Sequence, residues 1–178
     1  MHDNFTLRDS NMQDIDSIEL DENALITSKT DLKGFITYCN QDFYKYSGYC
    51  EDELLYKPHN IVRHKDMPKA AFKLLWDYIQ AGKEFFGFVK NRAKDGRCYW
   101  VFANVTPSID AQGNIIGYYS VRRKPNPKAL GIIEPLYQQM LAIEHSQSVQ
   151  AGMLFLDKVC QDSQKTYNQL VFELQRNS

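Results

Sequence analysis

The sequence predicts an α+β fold: a five-stranded antiparallel sheet with short helices over one face, continued by a C-terminal helical extension. Three observations predict it. Two short strand-like runs lie near the front of the chain. Short helical stretches and one longer helix follow them. Three further strands, separated by tight-turn signals, then form a meander. Texture divides the chain into an acidic cap over 1–22, a mixed α/β unit over 23–124 and the helical extension over 125–178.

Each element has its own signal. Leu25, Ile26, Thr27 and Ser28 form the first strand-like run, and Phe35, Ile36, Thr37 and Tyr38 the second. Asp31, Leu32, Lys33 and Gly34 between them are turn material. Asn40 stands where a helix N-cap belongs, Phe43, Tyr44, Tyr46 and Ser47 follow at helical spacing, and Gly48 ends the run. Glu51, Asp52, Glu53 and Leu54 start a second short helix. The longest helix of the unit spans 70–79, with Ala71, Leu74, Leu75, Tyr78 and Ile79 on one face and Gly82 closing it. Residues 85–92, 98–109 and 115–122 are the meander strands. Lys94-Asp95-Gly96 and Gln112-Gly113-Asn114 are the turns between them.

Pro125 and Pro127 break the last strand, and the remainder reads as one or two helices. Within it Val149, Met153, Leu156, Cys160, Ser163, Tyr167, Leu170 and Leu174 alternate by four and three, the spacing of a heptad seam. Two uses fit that spacing: a coiled-coil homodimer, or an amphipathic surface packed on the chain's own domain. In the cap, Ile15, Ile18 and Leu20 are contacts available to the main body, so the segment reads as a loose end or a short cap helix.

Composition narrows the function classes. The 178 residues hold 21 Lys and Arg against 22 Asp and Glu, so no excess of positive charge points to nucleic acid or an anionic membrane. The acidic opening is not a signal peptide, and no apolar run approaches a membrane span. Cys39, Cys50, Cys98 and Cys160 are scattered without a C-x-x-C pair, which argues against a disulfide framework or zinc site and makes a cytoplasmic location the expectation. No P-loop, nucleophile elbow or metal-binding helix motif marks an enzyme. Eleven Tyr, ten Phe and two Trp suit a pocket with aromatic walls.

The densest chemistry lies between Pro58 and Pro68. His59, Asn60, Arg63, His64 and Asp66 crowd this loop, and its prolines stiffen the backbone. A stiff loop with so many polar groups suits a polar ligand.

The run from Pro58-His59-Asn60 through Val62-Arg63-His64 to Asp66-Met67-Pro68-Lys69-Ala70-Ala71-Phe72 resembles the flavin-binding PAS domains of Aer-type energy-taxis sensors. Thr30-Asp31-Leu32, Ser47-Gly48-Tyr49, Val89-Lys90-Asn91-Arg92, Tyr99-Trp100-Val101 and Glu134-Pro135-Leu136-Tyr137 carry the likeness over most of the chain. Two strands, short helices and a three-strand meander are also the PAS pattern. The resemblance implies a redox sensor that binds FAD non-covalently and signals to a methyl-accepting chemotaxis protein. In most of the family the PAS domain is fused to that signalling region. No membrane anchor or long signalling coiled coil follows here, so the chain looks like the stand-alone form acting on a separate partner.

The resemblance assigns cofactor roles residue by residue, and most have a bland alternative. Arg63 offers a planar fork suited to a pyrophosphate, or pairs with a surface carboxylate. Asn60 comes over with the loop. His64 bonds the cofactor or braces the loop; His59 reads as structural. Asp66 supports the cofactor or caps the helix that follows. Trp76 lines the pocket or fills the core. Asn91, on one strand face with Gly87 and Val89, presents an amide that matches the donor and acceptor edge of a flavin ring. Its alternative is a polar residue at a strand end. Asn104 would complete that grip from the next strand. Asn40 is a ligand or only an N-cap. Phe85 stands where the family usually has Trp, keeping the aromatic face and losing the N–H donor.

Three rival readings remain. A blue-light photoreceptor of the LOV type needs a reactive cysteine in the segment 58–66, which has none. A haem PAS gas sensor would use His59 or His64 as axial ligand. A cofactor-free PAS interaction module would fill its pocket with aromatics.

Overall fold

The computed structural model describes residues 17–176. Most of the acidic cap, Ile15 included, lies outside them. Ser17 forms an isolated bridge with Cys98, the Ile18 amide donates to the Cys98 carbonyl at 2.8 Å, and Leu20 is buried.

The sheet has five antiparallel strands in the order β2-β1-β5-β4-β3: β1 (Ile26–Thr30), β2 (Ile36–Cys39), β3 (Phe85–Arg92), β4 (Cys98–Ile109) and β5 (Ile115–Arg123). Between β2 and β3 the chain makes α1 (Gln41–Ser47), α2 (Glu51–Leu54), a 3-10 turn (His59–Val62) and α3 (Lys69–Gln80). The expected alternation holds. On β3, Phe85, Val89 and Asn91 share a face with Gly87, and their cross-strand partners on β4 are Val105, Val101 and Tyr99.

Two buried clusters flank the helix-covered face. One gathers Ile26, Ile36, Phe43, Tyr46, Leu54, Val62 and Tyr99 beneath α1 and α2. The other gathers Met67, Ala71, Ile79, Phe85 and Phe88 with residues of the C-terminal extension.

The extension is three helices rather than one or two: α4 (Pro127–Ser146), α5 (Val149–Asp162) and α6 (Tyr167–Arg176). The heptad seam is not continuous, because the chain turns between α5 and α6 with Gln164 at a left-handed φ of 55°. Its residues Leu156 and Tyr167 are buried in the chain's own core, the packed alternative. The helices wrap edge strand β3. Tyr137 of α4 donates to the Phe88 carbonyl at 2.9 Å, and Trp100 donates to Glu134 at 2.8 Å. Gly152 lets α5 approach α3, since a Cβ there would lie 3.3 Å from that of Ala70. On α6, the Asn168 amide accepts from the Phe86 N–H and donates to the Glu84 carbonyl, both at 2.9 Å, capping the sheet edge. No helix among the described residues is long and apolar enough to cross a membrane.

Candidate functional site

The loop 58–68 is fixed at both ends by backbone bonds. Its start pairs with the β2 side: Ile36 N–H donates to the Lys57 carbonyl at 2.9 Å and His59 N–H to that of Gly34 at 2.9 Å. Its far end pairs with β3, through an isolated bridge between Arg63 and Asn91 and a bond from His64 N–H to the Lys90 carbonyl. The stiffness inferred from the prolines is therefore reinforced by the sheet.

Under this loop, between α3 and the inner sheet face, lies a cavity of about 240 Å³. Leu75, Ile79, Val89, Val105 and Ala103 make it apolar, while Trp76 and Tyr118 meet edge-to-face with ring centres 5.5 Å apart. Gly34 is required where α3 approaches: its φ is +84°, and a Cβ would sit 3.1 Å from the Trp76 ring.

The polar end is built from β1, β5 and the loop. Arg122 is buried, and its Nη2 donates to Ser28 Oγ at 3.0 Å and lies 2.7 Å from His59 Nε2. Its guanidinium also lies 5.5 Å from the Phe43 ring. No carboxylate pairs with it among the described residues. Burial lowers its pKa only to about 10, so it stays a cation at neutral pH. The His59 ring is pushed down to about 3 by burial first and by Arg122 second, so it is neutral and its Nε2 accepts. Arg122 Nη1 and Ser120 Oγ are buried without any partner. Such atoms are rare and costly, so a cavity that collects two of them is built to receive an acceptor.

Among the residues singled out from sequence, Asn60, Arg63, Trp76 and Asn91 line this cavity. Asn91 is buried and its amide bonds the Tyr99 side chain. Arg63 donates to the Met67 carbonyl at 3.2 Å and stacks 4.0 Å over Phe72.

Asn40, His64, Asp66, Phe85 and Asn104 lie elsewhere. Asn40 uses its amide as the N-cap, accepting from Phe43 and Thr27 and donating to Leu25. His64 is buried behind the loop, where its Nδ1 accepts from the Asp66 N–H at 3.2 Å. Asp66 does not cap α3. Glu144 of α4 does, accepting from Lys69 and Ala70 N–H at 3.0 and 2.7 Å. Phe85 stacks on Tyr167 at 5.4 Å and leans over Gly87, where a Cβ would be 2.7 Å from its ring. Asn104 sits out of phase with Ala103 and Val105 and reaches toward Glu84 and the Phe85 carbonyl instead.

Sequence reasoning missed Ser28, Ser120 and Arg122, which line the cavity together with His59. The signal was available: Tyr118, Ser120 and Arg122 alternate on one face of β5, and a charged residue in phase with a buried tyrosine marks a polar pocket. None of the four cysteines lines the cavity.

Comparison with known proteins agrees with this architecture. Residues 36–122 match the family described as PAS fold. The chain is 41% identical over 135 residues to the aerotaxis receptor of Escherichia coli (strain K12), covering 76% of this chain and 26% of that protein. It is 31% identical over 87 residues to biofilm dispersion protein BdlA of Pseudomonas aeruginosa, covering 48% and 21%. The chain thus spans about a quarter or less of the length of these relatives. Among solved structures, the light state of the blue-light photoreceptor Aureochrome1 LOV superposes with a TM-score of 0.55 at 20% identity, over 62% of this chain and 88% of that one.

Proposed function

The chain carries a PAS domain of the aerotaxis-receptor type, and from that premise we propose that it is a cytoplasmic redox sensor for energy taxis. On this reading it holds FAD non-covalently in the cavity and signals by contact with a separate methyl-accepting chemotaxis protein. The observation that carries the proposal is the pairing of apolar and aromatic walls with unpartnered Arg122 Nη1 and Ser120 Oγ. A flat ring with carbonyl acceptors along one edge fits both halves of that description. The Asn91 amide, with a donor and an acceptor, suits a ring edge presenting a carbonyl beside an N–H.

Bound FAD would supply the redox chemistry, gaining negative charge on reduction. The chain's own residues do the rest. Arg122 is a fixed cation in a low-dielectric site, so it favours added negative charge nearby. Neutral His59 accepts from Arg122 Nη2 and orients the guanidinium without competing for that charge. Asn91 is tied by its backbone to Arg63 of the loop, so a reoriented amide moves strand and loop together. The sensor works only if the two redox states prefer different arrangements of these residues.

The test is Arg122→Met. The variant should bind FAD at least ~10-fold more weakly, a loss of about 1.4 kcal/mol. Its ligand-free form should melt no lower than wild type, because an unpaired buried charge gives way to an apolar side chain of similar reach. A variant that melts lower and still binds FAD with wild-type affinity would make Arg122 structural and remove the main support for the site.

A further inference from the structure

A second void, of about 440 Å³, shares Asn60 and Arg63 with the cavity wall and opens beyond the loop. Its floor is loop and α3: His64, Lys65, Met67 and Lys69. Its far wall is the C-terminal extension: Leu141, Glu144, His145 and Val149. We propose that this cleft holds the pyrophosphate and adenosine of the dinucleotide, so that the C-terminal helices select FAD over smaller flavins. The inference rests on the flavin reading above.

Size is the first argument. The cavity alone is smaller than the ~300 Å³ at which small-molecule sites usually begin, so it admits a ring system and not a whole dinucleotide. The remainder of the ligand must leave the cavity. The cleft is adjacent and shares the two polar residues at that wall.

Charge is the second. Arg63, Lys65 and Lys69 are the cations in the lining. The one carboxylate in it, Glu144, has both oxygens engaged by the Lys69 and Ala70 N–H groups. Asp66 is held toward His64, 3.6 Å from its Nδ1, and is not part of the lining. The balance therefore favours an anion. Arg63 stands between the two voids with its guanidinium fixed by Phe72 and the Met67 carbonyl, which presents its remaining N–H donors in a set direction. Leu141 and Val149 offer apolar surface for a base, and the His145 ring lies beside them.

The experiment strips the protein of pigment and titrates it with riboflavin, FMN and FAD, following flavin fluorescence. Wild type should bind FAD at least ~10-fold tighter than riboflavin, and the FAD affinity should weaken with salt while the riboflavin affinity does not. The double variant Lys65→Ala/His145→Ala touches no cavity residue; it should lose ~10-fold in FAD affinity and leave riboflavin affinity unchanged. Equal losses for both ligands, or a wild type that prefers neither, overturn the cleft assignment and leave the flavin cavity standing. A wild type that binds none of the three flavins overturns both.

Discussion

At the scale of single residues, the site is organised around a cation, Arg122, that pairs with no carboxylate among the described residues. Burying a cation is unfavourable, and His59, Ser28 and the Phe43 ring offset part of that cost for Arg122. His59 makes the arrangement sensitive to pH. Its pKa is about 6.5 when free and about 3 in the fold, so the folded protein refuses a proton that the unfolded chain accepts. Its contribution is therefore intact above about pH 6.5 and lost as pH falls toward 3. Urea unfolding of wild type and His59→Gln across that window should show the wild type losing stability faster; parallel curves would show that the ring does not titrate this way. Sequence pointed to Arg63, Asn60 and Asn91 because the loop and strand β3 carry recognisable chemistry, and to Trp76 of α3 through the resemblance; all four line the cavity. Arg122 was not legible in the same way. Its importance comes from the phase of β5, and Arg122 and Arg123 differ only in which face they occupy: one is buried and the other exposed.

At the scale of elements, the contact that joins sensor and extension is a helix cap supplied from a distance. Glu144 bonds the first free N–H groups of α3, the helix that carries Phe72, Leu75, Trp76 and Ile79 to the cavity. A carboxylate there also complements the positive end of the helix dipole. Glu144→Ala should destabilise the fold by about 0.5–2 kcal/mol, the usual range for a lost cap, and Glu144→Gln by less. Denaturant midpoints check this, and an unchanged midpoint for the alanine variant would show that the contact contributes nothing. The sequence pointed to Asp66 as the cap because it is local and of the right type. Nothing in a linear reading points from residue 144 to residue 69. The same limit applies to Asn104, whose polar amide suggested a partner for Asn91 although strand parity turns it away.

At the scale of the whole molecule, the five strands and the loop between β2 and β3 were legible, since alternation, turns and prolines are local signals; the order of the strands, which sets β5 beside β1, was not. The extension was legible as helix but not as a wrapping structure. The heptad spacing of its apolar residues is produced equally by a dimer seam and by a surface that covers a sheet edge, and here Leu156 and Tyr167 serve the second use. That cover buries Phe85 beneath Tyr167, at the junction of sheet and extension. The proposed sensor thus joins cavity, loop and extension in one packed unit, and its central claim is that the cavity holds FAD. The most direct test is the visible absorption spectrum of the purified protein, with the pigment released by heat and identified. A yellow protein that releases near-stoichiometric FAD is the expected result. A Soret band from haem, or a colourless protein that stays colourless after incubation with FAD, would contradict it.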